Sequence, residues 1–172
     1  MKHLNIEVKA RCADPDRIRA ILKAKGADCR GTDRQRDTYF KVSGGRLKLR
    51  EGLIENALVF YEREDIDGPK QSSVILFHTD RGSVLKDILS KAQGVLVVID
   101  KTREIYFLEN VKVHIDVVQG LGSFVEIEVM QTHAAADKDK LLAQCKQYLE
   151  LFGVSEADLV PHSYSDLLAQ KA

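Results

Sequence analysis

The stretch His3-Leu4-Asn5-Ile6-Glu7-Val8-Lys9-Ala10-Arg11-Cys12 alternates without a break: its odd positions are polar and its even positions apolar or nearly so. Ten residues at a period of two read as a β-strand with one dry face. Its polar phase is ionic, and that peculiarity recurs down the chain. Arg46, Lys48 and Arg50 alternate with Leu47 and Leu49. Lys112, His114 and Asp116 alternate with Val111, Val113, Ile115 and Val117, and Glu126 and Glu128 with Val125, Ile127 and Val129. Arg63 and Arg103 fall in strands of less regular phase.

Outward from that first strand, Asp14-Pro15 supplies an N-cap and a proline for the first helical turn. Ile18, Ile21 and Leu22 form the helix stripe, and Gly26 stops it. Segments 37–42 and 46–51, joined by Ser43-Gly44-Gly45, read as a hairpin, and 58–64 and 72–77 flank the turn Asp67-Gly68-Pro69. Residues 80–93 read as a helix with Val84, Leu85, Ile88 and Leu89 on one face, and Gly94 follows. Strands are expected at 95–99, 101–108 and 112–118, and Gly120-Leu121-Gly122 turns into another at 124–130. A helix from about Ala135 to Phe152 carries Leu141, Leu142, Cys145, Leu149 and Phe152, and Ser163 to Leu168 forms a short last one. About eight strands with helices between groups of them make an α+β fold. The order is not βαβα, and neither GxGxxG nor a Walker A sequence occurs, which disfavours a doubly wound nucleotide fold.

At 172 residues the chain suits one domain, 1–172, large enough to bury its own core. Its 26 Lys and Arg balance 26 Asp and Glu, which argues against a disordered charged tail and against a general nucleic-acid binder. Cys12, Cys29 and Cys145 are widely spaced and form neither a disulfide framework nor a zinc motif. The N-terminus lacks the apolar region of a signal peptide, and the longest apolar run, Val95 to Ile99, is too short to span a bilayer. No membrane association is expected, and a reducing cytoplasmic setting is.

Two arrangements satisfy the ionic phase. An open antiparallel sheet would pack its dry face on helices and show its charges to water. A closed sheet would instead line a lumen with them and turn the apolar phase outward onto helices. Glu126 and Glu128 place two carboxylates about 6–7 Å apart on one face, and Lys48 and Arg50 do the same with cations. Surfaces normally intersperse the two signs, so segregation favours a lumen in which a polyanion and divalent metal complete the electrostatics.

The residues then show an ordered likeness to a known family. Asn5-Ile6-Glu7-Val8-Lys9 with Arg11, Asp37-Thr38-Tyr39-Phe40, Gly45 to Glu51, Tyr61 to Asp65 and Gly68 to Ser72 are followed by His114-Ile115-Asp116, Gly120 to Glu128 and Ser163-Tyr164. The set resembles the CYTH family of triphosphate tunnel metalloenzymes, in its class IV adenylyl cyclase-like branch. The resemblance implies an eight-stranded closed antiparallel barrel with helices outside, binding a triphosphate with Mg²⁺ or Mn²⁺. It implies Glu7, Asp116, Glu126 and Glu128 as metal ligands. Lys9, Arg11, Lys48, Arg50, Arg63 and Arg103 would be phosphate contacts, and Lys9 and Glu128 catalytic. The implied reaction is ATP to cAMP and pyrophosphate, or hydrolysis of the terminal phosphate of thiamine triphosphate or tripolyphosphate. Where the family opens on Glu-x-Glu-x-Lys this chain has Asn5, which removes a charge beside the metal, makes a second ion doubtful and motivates a rival reading as a non-catalytic polyphosphate or nucleotide sensor.

Other residues have plainer expected roles. His114 suits a hydrogen-bonded structural position, and His3, His78, His133 and His162 form no spacing set. Tyr39 and Tyr61 serve strand packing or edge the tunnel, Cys12 and Cys29 are packing thiols, and the resemblance would let Tyr164 close over the tunnel mouth. An exposed apolar barrel wall would support a homodimer.

Overall fold

A computed structural model describes residues 2–131 and 137–171, with the side chains of residues 2–4 left aside. The elements run β1 (Lys2–Arg11), α1 (Pro15–Ala24), β2 (Asp28–Phe40), β3 (Arg46–Glu51), β4 (Ala57–Arg63), β5 (Lys70–His78), α2 (Leu85–Gln93), β6 (Val95–Leu108), β7 (Val111–Val118), β8 (Gly122–Met130), α3 (Lys138–Phe152), a 3₁₀ turn (Glu156–Asp158) and α4 (Tyr164–Lys171). The strands close into a barrel in the order β1-β5-β4-β3-β2-β6-β7-β8, every neighbouring pair antiparallel. His133 and the expected helix start at Ala135 lie outside the described residues. Among the described residues no helix is long and apolar enough to cross a membrane.

Closure puts the two phases of β1, β7 and β8 on opposite sides of the wall. Ile6, Val8, Val111, Val113, Ile115, Val125, Ile127 and Val129 pack outward against Ile18 and Leu22 of α1 and Leu141, Cys145 and Phe152 of α3. The helix starts follow from local chemistry: Asp14 Oδ1 accepts the Arg17 N–H at 3.1 Å ahead of Pro15, and the Asp137 carboxylate caps α3. A second apolar cluster lies inside one end of the barrel, where Phe124, Tyr39, Ile99, Val118 and Leu121 meet Val160 and Tyr164 of the C-terminal segment. The Val160 N–H donates to the Lys9 carbonyl, and the Tyr164 ring stands edge-on to Phe124 at 5.0 Å.

Several expected boundaries move. β2 begins at Asp28, not 37, and 95–108 is one strand. In β2 the inward residues Asp33, Gln35 and Asp37 are as polar as the outward Arg34 and Arg36, so no apolar alternation marks the strand. In β6 the apparent break at Asp100 is a cross-strand ion pair, Arg36 Nε to Asp100 Oδ1 at 2.7 Å. The second helix is a turn shorter than expected, and Val84 and Ile88 on its apolar side are 67% and 54% exposed. Cys12 packs as expected, whereas Cys29 is exposed on β2. Deleting the Ile115 side chain beyond Cβ opens a cavity between the barrel wall and the helices. Ile115→Ala should cost about 2–5 kcal/mol by urea denaturation, with the barrel still closing; a change below about 0.5 kcal/mol would show that this wall is not the core.

Candidate active site

Glu7 and Lys9 of β1, Lys48 and Arg50 of β3, Arg63 of β4, Arg103 of β6 and Glu126 and Glu128 of β8 all line one cavity of about 410 Å³ inside the barrel. The structure therefore brings together eight of the ten residues expected there. Arg11 stays outside: it is exposed at the end of β1, donates to the Leu121 carbonyl at 3.4 Å and stacks on Phe124. Asp116 is wholly buried inside the barrel but does not line the cavity; it accepts from Arg103 Nε at 2.7 Å and from the Tyr164 hydroxyl at 2.7 Å. Tyr164, expected at a mouth, sits in the wall of the cavity, with Lys9 Nζ 3.8 Å from its ring centroid. His78, at the exposed end of β5, borders the cavity.

Charges that looked segregated along the chain are interleaved in space. Lys9 pairs with Glu126 at 3.0 Å, Arg63 pairs with Glu7, and Arg103 reaches Glu126 at 2.7 Å as well as Asp116. Asp37 is the hub on the opposite wall. Its carboxylate takes Arg50 Nε at 2.9 Å, Lys101 Nζ at 2.9 Å and Lys48 Nζ at 3.1 Å. Burial alone would raise the Asp37 carboxyl, but Arg50, Lys101 and Lys48 outweigh it and hold it well below the usual carboxylate range. Three cations on one carboxylate leave a positive excess. Around the cavity, seven Lys and Arg face four Glu.

Burial and the neighbouring charges shift several groups of the lumen. Burial, reinforced by Arg103, pushes Lys101 down to about 7, and Lys9 is lowered by burial against the pull of Glu126. Burial with Arg103 and Lys112 lowers His114 to about 3, so its ring is neutral, as a structural histidine requires. Its Nδ1 lies 3.4 Å from Glu126 Oε2. Glu128 moves the other way: burial raises its carboxyl and, against Lys112, Glu7 and Glu126 add to the rise.

Carboxylates gather on the β1–β8 side. Glu7 and Glu128 are cross-strand neighbours, and Glu126 lies opposite Lys9. Asn5 Nδ2 donates to Glu128 Oε1 at 2.9 Å, while the buried Asn5 Oδ1 has no hydrogen-bond partner. Two adjacent carboxylates and an unanswered amide oxygen form an oxygen donor set of the kind that hard divalent cations take, so the residues fit Mg²⁺ or Mn²⁺. A separate group, Asp65, His162 and Asp166, lies outside this cavity, and Arg46 already answers both its carboxylates at 2.7 and 2.8 Å.

A third sector is apolar. Ala57 and Val59 of β4 and Val74 and Leu76 of β5 turn into the cavity, which reaches the end of the barrel at Ile54, Asn56, His78 and Thr79. Strand phase missed this sector, because the inward residues of these strands are no more polar than the outward ones. It also missed Asp37, Lys101 and Glu55, although it set Lys112 in the ionic phase of its strand. The Asp37 and Lys101 strands lack a dry phase, and Glu55 lies in a loop with no periodicity.

Known proteins share this fold. The CYTH domain model matches residues 3–164. A Methanocaldococcus jannaschii protein named "Putative adenylate cyclase MJ0240" is 27% identical over 95% of this chain and 98% of its own length. The adenylate cyclase CyaB of Aeromonas hydrophila is 24% identical over 96% of this chain and 88% of its own. The solved PH1012 protein of Pyrococcus horikoshii superposes with a TM-score of 0.77 at 25% identity, covering 95% and 98% of the two chains.

The lowered Lys101 gives the site a pH signature. A bound polyanion would favour the charged amine, so binding above pH 7 should take up a proton. Affinity for tripolyphosphate should fall as pH rises from 7 to 9, by up to about tenfold per unit. Titration calorimetry in buffers of different ionisation enthalpy reads that uptake, and Lys101→Arg should reduce it; identical uptake in wild type and variant would contradict the assignment. With the lumen, its cation wall and its carboxylate pair in place, and the family model matching nearly the whole chain, this protein belongs to the CYTH domain family, whose enzymes are adenylyl cyclases and triphosphatases.

Proposed function

We propose that the protein is a metal-dependent enzyme of the class IV adenylyl cyclase type, converting ATP to cAMP and pyrophosphate. One observation carries the reading: around the lumen the carboxylates concentrate on β8 and β1, where Lys9 and Arg63 answer them, an apolar sector lies on β5 and β4, and a positive excess gathers on β3, β6 and β7. Free tripolyphosphate has no use for the apolar sector. An organic triphosphate does, because its heterocycle can leave water against Val59, Val74 and Leu76 while its phosphates lie along the cations.

The chain's own residues support the chemistry. Lys48, Arg50, Lys101 and Arg103 would hold the phosphates in line and neutralise charge on the departing pyrophosphate. Lys9, fixed by Glu126 and the Tyr164 ring, would stabilise charge near the α-phosphate. The attacking 3′-oxygen forms its bond to the α-phosphorus as the bond to the β-phosphate bridging oxygen breaks. Its proton passes to Glu128, whose raised carboxyl makes it a competent base, directly or through water. Glu7, Glu126 and Glu128, with the Asn5 amide oxygen nearby, would hold Mg²⁺ or Mn²⁺, which supplies Lewis-acid neutralisation of the phosphate oxygens. Asp116 is engaged by Arg103 and Tyr164, which suits it to positioning Arg103 more than to binding metal.

Hydrolysis of the terminal phosphate, in thiamine triphosphate or tripolyphosphate, is the second reading. The cation wall and carboxylate pair would serve it equally, with water in place of the 3′-hydroxyl. The non-catalytic reading rests on Asn5 alone. Incubation with Mg²⁺ or Mn²⁺ and each of the three triphosphates separates them: cAMP from ATP is the expected product, orthophosphate alone would establish the hydrolase, and thermal stabilisation by tripolyphosphate with no turnover of any would establish the sensor. Val74→Ser should weaken ATP binding several-fold and leave tripolyphosphate affinity unchanged; equal losses would remove the apolar sector from the argument. Asn5→Glu should tighten Mn²⁺ binding by about tenfold, and a titration without gain would show that position 5 does not face the metal.

A further inference from the structure

Within the cation wall one anion position is filled by the protein itself. Glu55 belongs to the loop between β3 and β4, yet its carboxylate turns into the lumen. Oε2 accepts from Arg50 Nη1 at 2.9 Å and from Gln35 Nε2 at 3.0 Å, and Oε1 accepts from Lys112 Nζ at 2.6 Å. Burial works to raise this carboxyl, but Arg50 and Lys112 hold it far below the usual range, so it is a permanent anion.

The loop is fastened in place. The buried Asp33 accepts the backbone N–H groups of Leu53, Ile54 and Glu55 at 2.6, 3.0 and 2.9 Å, and Gln35 ties Asp33 to Glu55. Gly52 is required at the bend, because a Cβ there would lie 2.5 Å from Asp33 Oδ2 and 2.7 Å from the Glu55 carbonyl. Asn56 closes the loop through both amide atoms to the Gly52 backbone, at 3.2 and 3.0 Å. Arg50 is oriented from both sides, Nε and Nη2 holding Asp37 while Nη1 holds Glu55, and its guanidinium still lines the lumen.

We infer that Glu55 ends the anion row and so sets the length of phosphate chain the tunnel accepts. It stands where a further phosphate would bridge Arg50 and Lys112, and a fixed carboxylate there repels a chain that extends past Lys48 and Lys101. This deepens the triphosphate reading and rests on it. An uncharged organic group is not repelled, because it can leave the row along the Ala57 and Leu76 side. Glu55 is thus a specificity-determining residue at the end of the phosphate track.

Calorimetric titration with linear tripolyphosphate and linear tetrapolyphosphate, in the same buffer with Mg²⁺, tests this. Wild type should prefer tripolyphosphate by about tenfold or more. Glu55→Gln keeps the shape but removes the charge, and should erase or reverse that preference. Glu55→Asp keeps the charge and should retain most of it. A wild type that binds both chains equally, or a folded Glu55→Gln variant with an unchanged ratio, would overturn the inference while leaving triphosphate binding intact. A wild type that binds neither chain would overturn the triphosphate reading itself. The wild-type ratio alone decides if the variants do not fold.

Discussion

Asp37 holding Lys48, Arg50 and Lys101 at once is the contact on which the cation wall depends. Cations from two strands would repel one another in a closed lumen, where charge separation is poorly screened. A buried carboxylate on the strand between them lets them coexist, and it leaves them with positive charge to spare. Removing Asp37 would strand three buried cations. An uncompensated charge of that kind is among the most destabilising changes known in a folded chain. The same principle governs the other side, where Asp116 sits behind Arg103 as Asp37 sits behind Arg50. In both places an inner cation faces the ligand and a buried carboxylate aims it.

Such a lumen stabilises nothing by itself, since burying ion pairs costs desolvation that their attraction only partly offsets. The fold's stability therefore has to come from the outside of the barrel. Ile6, Val8, Val113, Ile115, Ile127 and Val129, packed under α1 and α3, supply a continuous dry layer against the wall that carries the carboxylates. Strand alternation couples the two layers, because each inward charge on β1, β7 or β8 is flanked by outward apolar residues. The C-terminal segment closes one end of the barrel, and Lys70 fastens it by donating to the Ile66 and Pro161 carbonyls at 2.9 and 2.6 Å. The cavity reaches the opposite end, beside Ile54 and His78.

Much of this was legible in the residues. Where one phase was dry and the other ionic, as at residues 3–12 and 124–130, the strand and its two faces could be read directly. Where both phases were polar, as in Asp28–Arg36, or the inward phase was apolar, as in Ala57–Val59 and Val74–Leu76, alternation was silent and the element or its role was missed. Closure was underdetermined by periodicity, since an open sheet alternates just as well; the family likeness chose between them. The apparent segregation of charge was an artefact of reading one strand at a time. Cross-strand partners such as Asp37 for Arg50 and Glu126 for Lys9 become visible only with the register. Glu55 was beyond reach for a different reason: a loop residue carries no period, and its position depends on Asp33, some twenty residues earlier.

The central claim is that one lumen holds a triphosphate between a cation wall and a carboxylate pair. A crystal soaked with tripolyphosphate and Mn²⁺, with anomalous data collected at the manganese edge, tests it most directly. The account predicts a phosphate chain along Lys48, Arg50, Lys101 and Arg103, and an anomalous peak beside Glu7 and Glu128. Phosphate density outside the barrel, or manganese only at Asp65, His162 and Asp166, would contradict it.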